Sequence, residues 1–330
     1  MKWHTGEIGI DLGTTSVLVY VPDKGIVLRE PSLVAVDAST HKIRAVGEEA
    51  QSLVSGASGD VLAIRPLKDG VISDYYTTEK MLRTFIFKVC KNRIVKPRVV
   101  LCVPSSVTEV EERAVIEAAE AAGARQALVI EEPLAAAIGS GIDITRPSGS
   151  MVVDIGGGTT DIAVVSYGGI VISNSVKTAG NKFDEAIIRY IRDKYGIAIG
   201  ERTAEELKMN IGGVLPSDEE LSMEVKGRSL ASGLPKVVTV TGNEIIAPLT
   251  ECFSDIIDAV HETLSETPPE LVSDLSKNGI TLTGGGALLR GCASILQRET
   301  GINVSVSEDA VGCVAKGTGM ALSYPDLIKK

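Results

Sequence analysis

Short apolar runs bounded by Gly, Pro or Asp recur along the chain, at 8–12, 17–21, 99–103, 151–155, 162–166, 280–283 and 302–306. They predict short buried strands. Between them lie amphipathic stretches. The clearest runs from Thr108 to Ala122, where Thr108 and Glu111 form a T-x-x-E capping box, Ala114, Val115, Ala118 and Ala122 make an apolar stripe, and Gly123 supplies the stop. A second helix is predicted from about Asp184 to Tyr195, stopped by Gly196, and a third from Thr203, again followed three residues on by a glutamate, Glu206. Strands alternating with helices predict an α/β protein.

One pattern repeats at long range. Asp11-Leu12-Gly13-Thr14-Thr15-Ser16 lies between two apolar strands, and Asp154-Ile155-Gly156-Gly157-Gly158-Thr159-Thr160-Asp161 lies between two more, 143 positions later. Two such hairpins, one in each half of the chain, suggest two related lobes facing one cleft. The length of 330 residues suits two domains. Aromatics make up only 4%, so the core must be built from Val, Ile, Leu and Ala, the composition of buried strands covered by helices. A net charge of -10 argues against nucleic acid as a partner. The five scattered cysteines, with no C-x-x-C pair, argue against a disulfide scaffold or zinc ribbon and suit reduced thiols in the cytosol. No cleaved secretory signal is expected, because the chain moves straight into a strand. No apolar run approaches the ~18 residues of a membrane span; buried strands account for the mean hydropathy of +0.19.

A tight Gly/Thr turn leaves backbone N–H groups and hydroxyls free to cradle an anion. An aspartate at the head of such a turn would repel a bare phosphate, so Asp11 and Asp154 make sense with a divalent cation such as Mg²⁺ between carboxylate and phosphate. Each turn alone could be an ordinary hairpin; the matched pair favours the phosphate reading. A third cluster, Gly284-Gly285-Gly286-Ala287, follows a strand and opens a helix, but Leu289 stands where G-x-G-x-x-G needs its last glycine, which weakens a dehydrogenase reading. A loop lying flat against a base or ribose fits better. At Glu131-Glu132-Pro133 two acids precede a helix whose first turn holds the proline; they are either partners of the helix dipole or a water-orienting acid with its neighbour. Glu205 and Lys208 share a helix face, as a surface ion pair or as a grip on a nucleoside. The sequence carries no Walker lysine loop, G-x-S-x-G elbow or H-E-x-x-H motif, and its three histidines are isolated.

Taken in order, the Asp11 turn, the Glu131-Glu132-Pro133 helix, the Asp154 turn and the Gly284-Gly285-Gly286 loop resemble the ATPase core of the actin, Hsp70 and sugar kinase superfamily. Arg65-Pro66-Leu67-Lys68-Asp69-Gly70-Val71-Ile72, Gly200-Glu201-Arg202-Thr203-Ala204-Glu205 and Gly227-Arg228-Ser229-Leu230-Ala231-Ser232-Gly233-Leu234-Pro235 are similar to the MreB/Mbl family of bacterial actins, with one departure at Thr15-Ser16, where that family usually carries Ala-Asn. The resemblance implies an actin-like ATPase fold with two RNase H-like lobes, in four subdomains around a nucleotide cleft. Lobe I would span 1–140, with a small subdomain at about 32–74 and completion by 320–330. Lobe II would span 141–319, with a small subdomain at about 181–242. It also implies roles. Thr14, Thr15, Ser16 and Gly156, Gly157, Gly158 and Thr159 would hold the phosphates of ATP, with Asp11 and Asp154 organising Mg²⁺ through water. Glu132 would orient the attacking water with help from Thr159; an acid with an ordinary pKa suffices for this, because phosphoryl transfer needs positioning and charge neutralisation more than a strong base. Glu205, Lys208 and Gly284, Gly285, Gly286 and Ala287 would hold the nucleoside, with Gly180 and Lys182 bordering the site.

The implied function is a cytoskeletal ATPase whose membrane-associated filaments organise cell-wall synthesis and maintain rod shape. The implied partners are further copies of the chain in protofilaments and paired filaments, the cytoplasmic face of the membrane, and membrane-embedded cell-wall elongation proteins. The anchor candidate is the loop Lys91-Asn92-Arg93-Ile94-Val95-Lys96, where Ile94 and Val95 sit among cations that suit anionic lipid; otherwise it is a plain helix-to-strand connection. Competing readings are a small-molecule kinase of the same superfamily and an FtsA-like nucleotide-dependent membrane adaptor.

Overall fold

The computed structural model describes residues 6–56, 59–90, 96–217, 219, 221–324 and 327–329. The first half runs β1 (Glu7–Leu12), β2 (Ser16–Val21), β3 (Gly25–Pro31), β4 (Val34–Asp37), β5 (Ile43–Val46), α1 (Glu48–Gly56), β6 (Val61–Ile64), β7 (Leu67–Lys68), β8 (Val71–Ile72), α2 (Tyr75–Cys90), β9 (Arg98–Val103), α3 (Glu109–Ala122), β10 (Gln126–Glu131) and α4 (Glu132–Gly139). The second runs β11 (Ser150–Ile155), β12 (Thr160–Ser166), β13 (Gly169–Val176), α5 (Gly180–Tyr195), β14 (Ile197–Ala198), α6 (Glu201–Ile211), β15 (Ser222–Ser229), β16 (Pro235–Thr241), α7 (Ile246–Glu266), α8 (Pro269–Asn278), β17 (Ile280–Thr283), α9 (Cys292–Thr300), β18 (Val304–Val306) and α10 (Cys313–Met320).

The long-range repeat in the sequence is a repeat of topology. One five-stranded sheet has the order β10-β9-β1-β2-β3 and the other β13-β12-β11-β17-β18. In both, three strands form an antiparallel meander and two more add in parallel beside the first. Two three-stranded sheets, β5-β4-β6 and β14-β15-β16, and the β7-β8 hairpin are separate from these.

Strand alternation decides what faces what. Ile8, Ile10, Val99 and Leu101 enter an outer core with Met81, Phe85 and Val115, under α2 and α3. Val153, Ile155, Ile162 and Leu282 enter a second outer core with Phe183 and Phe253, under α5 and α7. The opposite faces share a third core, in which Val100, Cys102, Leu128 and Ile130 meet Val152, Ala163 and Val165 through α4 and α10. Those two helices touch backbone to backbone: a Cβ at Gly317 would strike the Ala135 carbonyl, and one at Gly139 the Cys313 carbonyl. Only glycine at these contacts permits that approach.

The helix starting at Glu109 has the expected capping box, with Thr108 and Glu111 reciprocally bonded and Gly123 in the left-handed conformation at its end. The helix expected from Asp184 begins four residues earlier at Gly180, and the one expected from Thr203 begins at Glu201. In the latter case Gly200 is the N-cap, so Thr203 lies inside the first turn, and Glu206 is taken by Arg202 Nε (3.1 Å). The last predicted strand is shorter, Val304–Val306. The Gly284 cluster leads into a 3₁₀ turn, Gly285–Leu288, and α9 starts only at Cys292. Strands β3 and β13, whose positions are mostly half-buried or exposed, carry no continuous apolar signal.

Candidate functional site

Even spacing along the strands aims one set of polar side chains at the seam between the two sheets. Asp11 is two residues from Gly9, against which α10 packs, and Asp154 is two residues from Val152 in the shared core. The β1–β2 and β11–β12 turns meet there. Thr14 Oγ1 accepts from the Gly70 N–H (3.0 Å), and Thr15 Oγ1 donates to Asn181 Oδ1 (3.4 Å). Glycine is required opposite them: a Cβ at Gly158 would lie 2.7 Å from Thr14 Oγ1, and one at Gly157 would overlap Thr15 Oγ1. The second turn is closed by the Gly156 N–H donating to the Thr159 carbonyl (2.9 Å). The N–H groups of Gly180 and Asn181 donate to the carbonyls of Gly156 (3.1 Å) and Gly157 (2.8 Å), so the turn itself caps α5. That is why no capping side chain marks the start of this helix.

Four acids gather behind the turns. Asp11 accepts from the Cys102 thiol (3.4 Å), and Asp154 from the Thr283 hydroxyl (2.6 Å). Glu132 opens α4 with Pro133 beside it in the first turn. Asp161 faces Asp154 across the hairpin, only 1% exposed, and neither of its oxygens has a well-formed hydrogen bond. Among the described residues no lysine or arginine pairs with any of the four. Burial first, then their mutual repulsion, disfavours charge. Burial pushes Asp11 up to about 6, against the weaker opposing effect of the Cys102 hydrogen bond. Burial likewise takes Asp161 to about 6 and Asp154 to about 7. Glu132 is held well above the usual carboxylate range by burial and by Asp161, Asp154 and Asp11, and it donates a hydrogen bond to Asp154. Burial beside three other acids, with no paired lysine or arginine among the described residues, favours the protonated form of Glu132. Glu131, its neighbour, turns the other way and accepts from Lys329 Nζ (2.9 Å).

Toward the second lobe, Lys208 on α6 does not pair with Glu205. Its Nζ donates to Asp184 Oδ2 (2.9 Å) and to the Gly180 carbonyl (3.1 Å), with both charged side chains largely buried. Burial outweighs this ion pair at Asp184 and pushes its carboxyl up to about 6. Gly284, at φ 80°, lies against the Ile155 backbone, bringing the third glycine cluster to the second turn. Gly285 has open space in front of it, and Ala287 is buried. Lys182 reaches out to Glu185 (3.2 Å).

The family model described as MreB/Mbl protein matches residues 5–330. The chain belongs to the MreB/Mbl family. It is 50% identical to "Cell shape-determining protein MreB" of Escherichia coli (strain K12) over 329 residues, 98% of this chain and 95% of that protein. It is 49% identical to "Cell shape-determining protein Mbl" of Bacillus subtilis (strain 168) over 325 residues, 98% of each. The crystal structure of MreB 5 of Spiroplasma citri bound to AMPPNP superposes with a TM-score of 0.92, at 41% identity and 98% coverage of both chains. The fold is thus the actin-like one expected from the sequence.

In this member of the family, Asp11, Thr14, Thr15, Glu132, Asp154, Gly156, Gly157, Gly158 and Thr159 converge on one seam, and Gly180, Lys208 and Gly284 reach it through the second turn. Ser16 begins β2 beside them. Sequence reasoning missed Cys102, Asp161, Thr283, Asp184 and Gly70. Asp161 closes the G-G-G-T-T-D motif and was within reach of the eye, whereas Cys102 and Thr283 sit in plain apolar strands and are revealed only by register. Ile94 and Val95 lie outside the described residues. Among the described residues no helix is long and apolar enough to cross a membrane.

Proposed function

We propose that the chain is a cytoskeletal ATPase whose nucleotide lies between the two lobes. The observation that carries this is the meeting of two matched Gly/Thr turns over four acids that lack a cationic partner. Donors without a fixed partner and acids without a counter-charge are what a phosphate chain with a divalent cation satisfies. Thr14, Thr15, Ser16, Gly156, Gly157, Gly158 and Thr159 bind the phosphates of ATP through N–H and hydroxyl groups. Asp11 and Asp154 hold Mg²⁺ through water, and the cation supplies charge neutralisation on the phosphates. Glu205, Lys208, Gly284, Gly285, Gly286 and Ala287 hold the nucleoside, bordered by Gly180 and Lys182. Glu132, with Thr159, would orient the attacking water, and in its ionised form would accept that water's proton.

The lobes divide as 1–140 with 320–330 and 141–319, their small subdomains at about 32–74 and 181–242; the separate sheets β5-β4-β6 and β14-β15-β16 support this division. Nucleotide bridging both turns biases the lobes toward a form that assembles into filaments, and hydrolysis removes part of the bridge. Family membership supports filaments on the inner face of the cell membrane, with Ile94 and Val95 as anchor and cell-wall elongation proteins as partners. Sedimentation and negative-stain microscopy with Mg²⁺-ATP and anionic liposomes, while following phosphate release, test the reading. Lipid-bound filaments with acceptor-independent release are expected. A monomer that releases phosphate only when given a metabolite would replace it with a kinase.

A further inference from the structure

The acid cluster contains one atom that magnesium has no use for. Among the described residues, one ligand atom each of Asp11, Cys102 and Glu132 lies within 4.8 Å of the other two. Magnesium takes oxygen ligands in an octahedral shell and gains nothing from a thiol. Thiolate with carboxylates is a ligand set for zinc-like ions, whose tetrahedral ligand atoms sit roughly 3.3–3.8 Å apart. Contraction by about an ångström would close the three residues around one ion. A second observation points the same way: Asp161, 1% exposed and without a well-formed hydrogen bond at either oxygen, stands opposite Asp154 across the hairpin, so the pocket is short of positive charge beyond the three ligands.

We propose that Asp11, Cys102 and Glu132 form a site for a thiophilic divalent cation of the zinc and cadmium class. Binding forms a metal–sulfur bond at Cys102 Sγ and a metal–oxygen bond at Glu132, and releases two protons to solvent, the thiol proton now donated to Asp11 and the carboxyl proton that Glu132 now donates to Asp154. The ion also occupies Asp11 and Glu132, so it competes with magnesium–nucleotide; this consequence rests on the proposed function, whereas the site itself does not.

The test is a Cd²⁺ titration of the full-length, nucleotide-free protein, read by the ultraviolet thiolate-to-cadmium charge-transfer band. One equivalent should saturate it, and Mg²⁺ should not produce it. Cys102→Ser should abolish the band, Cys252→Ser should keep it, and Asp11→Asn or Glu132→Gln should weaken Cd²⁺ binding at least about tenfold. Should Cys102→Ser fail to fold by circular dichroism, the two acid variants decide, since they retain the thiol. A band absent from the folded parent, surviving loss of Cys102, or indifferent to both acid substitutions overturns the proposal. Mg²⁺-ATP should displace the band; a band at Cys102 that nucleotide leaves untouched would uphold the metal site and count against the nucleotide reading instead.

Discussion

The two lobes carry the same strand order and the same turn, yet they treat their aspartates differently. In the first, Asp11 lies opposite Leu18 across the hairpin and accepts a weak bond from the Cys102 thiol on the neighbouring parallel strand (3.4 Å). In the second, Asp154 lies opposite another acid, Asp161, and accepts a strong bond from the Thr283 hydroxyl on the equivalent strand (2.6 Å). The duplicated scaffold places one acid and one donor per lobe. The second turn carries a further acid, and the first has the softer donor. Symmetry of fold therefore does not make a symmetric site.

Several substitutions break or sharpen this contrast. The largest effect should come from the acid that belongs to neither turn. Glu132→Gln should slow phosphate release about 100- to 1,000-fold while nucleotide still binds, measured by single-turnover release and nucleotide fluorescence; release at the parent rate would remove Glu132 from its proposed role.

Next comes the extra charge of the second turn. Replacing Asp161 by Asn, which makes that hairpin electrically like the first, should stabilise the nucleotide-free protein by on the order of 1–3 kcal/mol at pH 8 and by nothing at pH 4, in urea unfolding. The sign follows from the folded values of about 6 for Asp11 and Asp161 and about 7 for Asp154, against an ordinary aspartate value of 3.8. Below about pH 4 both native and unfolded chains hold these protons. Between about 4 and 7 the native state holds more, so its stability falls as pH rises through that window. The parent should accordingly melt at a higher temperature at pH 5 than at pH 8, and Mg²⁺-nucleotide should narrow the gap. A parent more stable at pH 8 would mean that the acids are already compensated.

The stronger donor can be deleted with little change of shape. Thr283→Val should cost about 1–3 kcal/mol at pH 8, because it leaves Asp154 buried without its hydroxyl. No loss would show that the bond contributes little beyond what water supplies.

Smallest is a contrast between helix starts. Helix α3 in the first lobe is capped by its own Thr108, while α5 in the second is capped by the backbone of its phosphate turn. Thr108→Ala should cost about 1 kcal/mol and leave nucleotide affinity alone, whereas perturbing Gly157 should affect both; equal nucleotide binding by a Gly157→Ala protein would separate the turn from the helix it starts.

The sequence by itself determined the local and the repeated. Continuous apolar strands, the capping box at Thr108, the two Asp-headed Gly/Thr turns and the Glu132-Pro133 helix start were legible because each is written in neighbouring residues whose backbone preferences and hydrogen bonds are short-range. Tertiary structure decided what depends on register and on elements far apart in the chain. It put Cys102 beside Asp11 and Thr283 beside Asp154, since a parallel pairing is set by the packing of whole layers rather than by any local signal. It gave Lys208 to Asp184 instead of to Glu205, because burial between α5 and α6 favours the partner that is also desolvated. It also started α5 on the turn of residues 156–158, where carbonyls from another element replace a capping side chain. Finally, it buried four acids together with no lysine or arginine among the described residues paired to them, and that burial, with their mutual repulsion, raises the pKa of Glu132, a property no carboxylate carries in its sequence neighbours.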